Sequence, residues 1–354
     1  MQLAQVEDTG RIADPQVVAA SAGLRYVSGE GRGITRRRAG TGFAYANGDG
    51  ATIRDKAVLA RIRKLAIPPA WKDVWICPQA NGHIQATGLD AKGRKQYRYN
   101  DEFRALRESA KFEHILVFAQ ALPTIRETVA KDMARHGLPR EKVLATVVHL
   151  LETTLVRVGN KDYAKANGSY GLTTLREPHV DVTGATLRFH FKGKSGKAWN
   201  LKVHDRRVAR IVRACQDLPG QQLFQYLDED GKRQGVDSAD VNAYLKEITG
   251  REITAKDFRT WFGTVAAAVA LHERGTCGTV TATKKATREI IATVAARLGN
   301  TPTICRKCYI HPEVLAAYGD ATLTLRIRDA DADDKTKLTP EEAAVYRFLV
   351  GRLG

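Results

Sequence analysis

Hydrophobic periodicity changes character once along this chain, near residue 107, and that change sets what can fold on either side of it. Before it, runs too short for long helices alternate with turns. Phe43 and Tyr45 mark a strand, 57–65 has helical spacing, Pro68-Pro69 stops that helix, and 74–77, 83–87 and 96–99 read as strands. After it, apolar residues recur at three and four over 113–121, 124–135, 140–158, 208–215, 239–248, 255–274 and 287–298. One hairpin interrupts the helices, its strands 186–192 and 198–203 joined at Ser195-Gly196. The pattern predicts an α+β chain: a loose tail over 1–22, a small strand-rich N-terminal domain over 23–107, and a mainly α-helical domain with a small β-hairpin or sheet over 108–354. Residues 329–334 read as an acidic loop, and Thr339-Pro340-Glu341-Glu342 announces a closing helix through a capping box.

Charge narrows the partner. Lys and Arg number 56 against 39 Asp and Glu, a formal +17 over 354 residues, and a polyanion is the simplest explanation because neutralised phosphates release counterions. Nucleic acid leads on that ground, with a plain basic surface as the alternative. The longest uncharged apolar stretch, 265–271, is far short of the roughly 20 residues that span a bilayer, so no membrane role is expected. The N-terminal residues lack the basic-then-apolar order of a secretory signal, and five sparse cysteines suit a reducing compartment, which points to the cytoplasm. Cys305-Arg-Lys-Cys308 has no second pair at zinc-ribbon spacing, so free thiols are the simpler reading and no metal is expected.

Five segments carry residues able to do chemistry. Arg25, Arg32, Arg36, Arg37 and Arg38 cluster among glycines, a basic loop suited to a phosphate backbone. Arg157 falls in what reads as the last turn of the 140–158 helix, capped by Gly159; a cation stabilising a helix C-terminus explains it equally well. Lys192, Lys194 and Lys197 surround the hairpin tip, where a lysine is commonly just solvated but can also reach a groove and donate a proton. Lys256 and Arg259 follow Thr254 in the first turn of a helix, three residues apart on one face. Two cations there oppose the helix dipole, which makes sense if an anion sits between them. Tyr309 follows a basic approach after the Gly299 cap; alone it would read as a packed aromatic, and as a nucleophile it needs cations beside a phenol whose ordinary pKa is near ~10.

In this order the segments resemble the type IB DNA topoisomerases, in particular the compact poxviral and bacterial branch. The resemblance implies Arg157 and Arg259 as the catalytic arginines, Lys194 as the hairpin general acid, Lys256 assisting it, and Tyr309 as the nucleophile. Viral members place a histidine nine residues before the tyrosine as a further phosphate ligand; this chain, like similar bacterial members, has Asn300, whose amide can still donate to a phosphate oxygen. The resemblance also implies DNA contacts at Tyr97 and Tyr99, in Gln96-Tyr97-Arg98-Tyr99, and at Tyr163, with Lys161, Arg36, Arg37 and Arg38 as further candidate phosphate contacts.

The activity this resemblance implies is relaxation of positive and negative supercoils through a 3′-phosphotyrosine and strand rotation, by a monomer that closes on double-stranded DNA as a C-shaped clamp. The expected site of action is the cytoplasm, in association with the nucleoid. No cofactor is expected, neither a metal nor a nucleotide, and the chain carries no G-x-x-x-x-G-K-[ST] loop. The alternative is a site-specific tyrosine recombinase or integrase, against which Lys256 stands where recombinases usually carry histidine. A non-catalytic architectural DNA-binding protein would share the charge without needing this set of side chains.

Overall fold

The short runs of the first hundred residues pair into one antiparallel sheet in the computed structural model, which describes residues 15–327 and 337–353. The sheet has five strands, β1 (Ile34–Ala39), β2 (Gly42–Ala46), β3 (Lys72–Ile76), β4 (Ile84–Leu89) and β5 (Lys95–Tyr99), in the order β2-β1-β3-β4-β5. Helix α2 (Lys56–Lys64), capped by Asp55, buries Ile62 against Ile34, Val74, Ile76 and Ala86. The sequence reads 1–22 as a loose tail, whereas Pro15–Ser21 form α1, whose Val18 and Ala19 pack with Leu24 and Phe103. Burial of Val18 and Ala19 holds a helix too short to show periodicity of its own. The first fourteen residues lie outside those described.

The arginine run also differs from the expected loop. Arg36, Arg37 and Arg38 belong to β1 and pair with Tyr45, Ala44 and Phe43. Arg37 and Arg38 are exposed, while Arg36, although on the same strand face as Arg38, lies over the Phe43 ring at 4.2 Å and donates to the carbonyls of Pro68 (3.1 Å) and Trp71 (2.7 Å). Arg36 is therefore engaged inside its own fold.

The described residues divide into two compact units, one ending at Glu113 and one beginning at His114. Helix α3 (Asp101–Met133) runs through the division as a single helix, where the sequence suggests a break beside Pro123. Burial of Phe118, Leu122 and Ile125 on both sides of the proline outweighs its missing hydrogen bond. The second unit then continues with α4 (Arg140–Thr154), α5 (Lys161–Asn167), strands β6 (Val180–Thr183), β7 (Thr186–Lys192) and β8 (Ala198–His204), and α6 (Arg206–Gln216). A small ribbon, β9 (Gln225–Leu227) and β10 (Arg233–Gly235), precedes α7 (Ser238–Thr249), α8 (Ala255–Arg274), α9 (Val280–Leu298), α10 (Pro302–Tyr309), α11 (Pro312–Gly319) and α12 (Pro340–Leu353). The expected hairpin is β7–β8, and β6 extends it to a three-stranded antiparallel sheet. Helix α9 starts seven residues earlier than its apolar stripe indicates, because its first turns are mostly exposed and Thr279 caps them.

Helix α4 lies at the centre of this core, with Val143, Leu144, Val147, Val148, Leu150 and Leu151 fully or almost fully buried, each contributing ~1.5–3 kcal/mol on burial. The closing helix docks through Glu342. Its carboxylate accepts from Arg126 on α3 (2.9 Å) and from the Trp261 indole on α8 (3.1 Å), and Arg126 also pairs with Glu152 at 2.7 Å. Thr339 and Glu342 form the expected capping box. The acidic stretch 329–334 lies outside the described residues. No described helix is long and apolar enough to cross a membrane.

Candidate active site

Helix α4 ends at Thr154, not at Val158. Leu155, buried and left-handed at φ 59°, caps it, so Arg157 projects from an extended segment beyond the helix. A leucine in that conformation costs about 1 kcal/mol, the kind of local strain that collects at functional sites. The segment is held by its neighbour. Leu172 N–H donates to the Arg157 carbonyl (2.9 Å) and Thr173 N–H to that of Val158 (2.7 Å). A Cβ on Gly171 would stand 2.5 Å from the Arg157 carbonyl oxygen, so only glycine lets the two segments pass this closely.

Arg259 sits in the first turn of α8, where Thr254 N–H (2.8 Å) and hydroxyl (2.9 Å) both donate to the Asp257 carboxylate, the cap expected from sequence. Its guanidinium is almost fully buried. It donates to the carbonyl of Leu155 at the end of α4 and to that of Leu298 at the end of α9, the latter at 2.6 Å. Two helix C-termini thus orient one cation. Burial holds the pKa of this guanidinium below its ordinary value, with Tyr309 opposing that by charge and by a side-chain hydrogen bond and the Arg157 charge adding to it. Its Nε has no partner.

Arg157 donates to Oδ1 of Asn300, which follows the Gly299 cap of α9, and the Asn300 Nδ2 is buried without a partner. Unpaired buried donors are costly, and the Arg259 Nε and the Asn300 amide, with the Arg157 guanidinium bonded to that amide, describe a place for an anion. Tyr309 ends α10, a helix absent from the sequence reading, with its ring centroid 5.1 Å from the Arg259 Cζ. Helix α8 holds the tyrosine's backbone. A Cβ on Gly263 would fall 2.4 Å from the Tyr309 carbonyl oxygen, and the Thr264 hydroxyl accepts from His311 N–H (3.1 Å) while facing the Tyr309 carbonyl at 3.4 Å.

Arg157, Lys194, Lys256, Arg259 and Tyr309 line one cleft of about 430 Å³, and Tyr163 lines it too. No carboxylate is among its lining residues. Lys194 stands at the exposed tip between β7 and β8, in a turn whose Ser195 has φ 63°. Asn160 caps α5 by accepting from Tyr163 N–H at 2.8 Å, which fixes the tyrosine's place; Lys161 instead faces Asp237 at 3.7 Å and is not among the lining residues. Sequence reasoning missed Tyr170 and Ser169, which also line the cleft; the glycine pair Gly159 and Gly171 was the available signal. In the other unit Tyr97 and Tyr99 are exposed on β5, their rings stacked at 5.9 Å.

Cys305 is buried on α10, and desolvation pushes its thiol up to about 11, which keeps it protonated and inert. Among the described residues, no group of three His, Cys, Asp or Glu is arranged to hold a metal.

A five-stranded antiparallel sheet followed by a helical unit, with a cation-rich cleft containing a tyrosine, defines a protein that handles a phosphodiester polyanion. Comparison with known proteins gives the family. The profile for the eukaryotic DNA topoisomerase I catalytic core matches residues 100–335, and that for the bacterial DNA topoisomerase IB N-terminal domain matches residues 42–90. The DNA topoisomerase 1B of Acanthamoeba polyphaga mimivirus is 33% identical over 297 residues, covering 81% of this chain and 87% of the relative. Rabbit fibroma virus DNA topoisomerase 1 is 26% identical over 288 residues (78% and 87%), and the vaccinia virus (strain Copenhagen) DNA topoisomerase 1B is 25% identical over 273 residues (73% and 81%). The chain belongs to the type IB DNA topoisomerases.

Proposed function

We propose that this chain relaxes supercoiled double-stranded DNA by transient cleavage of one strand at Tyr309, acting as a monomer without nucleotide or metal. The observation that carries the reading is the convergence of Arg157, Arg259, Lys194 and Tyr309 on one cleft beside two unpaired buried donors. The Tyr309 oxygen attacks a backbone phosphorus, the bond from phosphorus to the 5′ oxygen breaks, and the strand remains joined through a 3′-phosphotyrosine. The phenolic proton passes to solvent, and Lys194, with Lys256 lining the same cleft, gives a proton to the leaving 5′ oxygen. Arg157, Arg259 and the Asn300 amide stabilise the charge on the non-bridging oxygens, the work a metal performs in other phosphoryl transfers.

Because the phosphodiester energy is kept in the phosphotyrosine, the 5′ hydroxyl can attack back after the free strand has rotated about its partner. Tyr97, Tyr99, Arg37 and Arg38 of the N-terminal unit and Tyr163 of the helical unit supply further DNA contacts. Contacts mostly to phosphates make binding fall steeply with salt. Five free thiols suit work on the nucleoid in a reducing cytoplasm.

The test is relaxation of negatively and positively supercoiled plasmid with EDTA and without ATP, with Tyr309→Phe in parallel and detergent quenching to trap covalent DNA. Relaxation of both signs, with protein trapped on a 3′ end and neither signal in the variant, is expected. Trapped covalent DNA without relaxation, or relaxation by Tyr309→Phe, overturns the reading.

A further inference from the structure

We infer that Trp199 is a positioning residue that fixes the reach of Lys194, a role that rests on the reading of Lys194 as the proton donor. Trp199 is the second residue of β8, 8% exposed, stacked on Phe191 of β7 with centroids 6.2 Å apart and planes 6° off parallel. Its indole is in close contact with two glycines that are far apart in sequence. A Cβ on Gly193 would fall 2.5 Å from the indole Nε1, and a Cβ on Gly299 would fall 2.5 Å from Cζ2 on the other ring. Gly193 immediately precedes Lys194, and Gly299 immediately precedes Asn300. One side chain therefore spans the gap between the backbone that carries the lysine and the backbone that carries the phosphate-binding amide.

The two sides of this spacer are a helix cap and a hairpin turn. Gly299 belongs to the cap of α9, where its own N–H donates to the Ala296 carbonyl (3.1 Å) and Asn300 N–H to that of Ala295 (2.9 Å). The lysine's side is a three-residue turn, closed by Gly193 N–H to the Lys197 carbonyl (2.8 Å) and Gly196 N–H to the Gly193 carbonyl (3.0 Å). The indole rests against the helix cap on one side and against the base of the hairpin turn on the other, so it sets the spacing between them. Gly193 has φ −90°, which any residue adopts, so its lack of a side chain answers to the indole and not to backbone conformation. A tip that the sequence alone presents as a flexible lysine loop thus stands on a rigid base, which is what proton transfer at hydrogen-bond range requires.

The experiment is single-turnover cleavage of a duplex with oxygen or sulfur at the 5′-bridging position of the scissile phosphate. A sulfur leaving group departs as a thiolate and needs no proton, so it bypasses a donor defect. Lys194→Ala should cleave the oxygen substrate ~10²–10⁴-fold more slowly and the sulfur substrate near the wild-type rate. Trp199→Ala should lose at least about tenfold on oxygen and regain most of it on sulfur. Equal loss on both substrates, or no loss on either, overturns the role of Trp199. Loss on both substrates in Lys194→Ala overturns instead the reading of the lysine as the donor.

A second pair of variants removes dependence on a truncation. Gly193→Ala, whose new Cβ meets the indole, should be slow on oxygen only, and adding Trp199→Phe should restore part of the rate by making room. Additive losses in the double variant would mean that the two residues do not act on each other, and would also overturn the inference.

Discussion

The Arg157 guanidinium donates to Oδ1 of Asn300, joining residues 143 positions apart and leaving the amide nitrogen buried and unpartnered. One side chain thereby does two things: its oxygen orients an arginine and its nitrogen is left as a buried donor beside that arginine. Asn300→Ala removes both and should slow strand cleavage ~10²–10³-fold, the usual loss for one preorganised donor. Asn300→Asp keeps the acceptor for Arg157 but replaces the donor with a negative charge, so it should be slower still. Single-turnover trapping of covalent DNA measures both, and an alanine variant within about threefold of wild type would remove Asn300 from the phosphate site.

Gly263 offers a cleaner steric test of the nucleophile's placement. In a helix interior alanine is favoured over glycine by ~1 kcal/mol, so propensity alone makes Gly263→Ala stabilising. Its Cβ would nonetheless stand 2.4 Å from the Tyr309 carbonyl oxygen and 3.1 Å from the Tyr309 Cβ, forcing α10 away from α8. A shift of about 1 Å at a reacting group can cost ~10²-fold. The variant should keep its helical circular dichroism and cleave about a hundredfold more slowly; wild-type cleavage would mean that α10 relaxes without moving the phenol.

The sequence reveals this site unevenly, and the reasons are local. Caps that depend on neighbouring residues are legible: Thr254 with Asp257, Gly299 after α9, and Thr339 with Glu342 all stand where their spacing predicts. The end of α4 is not, because Leu155 adopts a conformation that nothing in its side chain announces. The partners of Arg259 are equally hidden, being backbone carbonyls 104 and 39 positions away that have no residue signature. The arginine run of β1 shows the opposite limit: charge identifies a basic segment, but only the folded chain lays Arg36 over Phe43 and against the carbonyls of Pro68 and Trp71 while leaving Arg37 and Arg38 in solvent. Helix α10 escapes notice because it is eight residues long and buries only Cys305.

In the N-terminal unit a buried histidine gives a pH dependence with a definite sign. His83 is 3% exposed, stacked on Tyr26 at 4.2 Å, and its Nδ1 accepts from Val27 N–H at 3.0 Å, a bond that requires that nitrogen unprotonated. Burial, and to a lesser extent the Arg107 charge, hold it below its ordinary 6.5, with the Arg25 backbone opposing. The unfolded chain therefore takes up this proton at higher pH than the folded one. The associated stability is complete above about pH 6.5 and declines as the pH falls below it. Hydrogen exchange in β4 and β5 of the full chain should show unchanged protection from pH 8 to 7 after correction for intrinsic rates, and clearly weaker protection at pH 5.5. His83→Asn, which keeps an acceptor without a titrating ring, should lower protection at pH 7.5 yet flatten its pH slope; a slope as steep as wild type would assign the proton to another group.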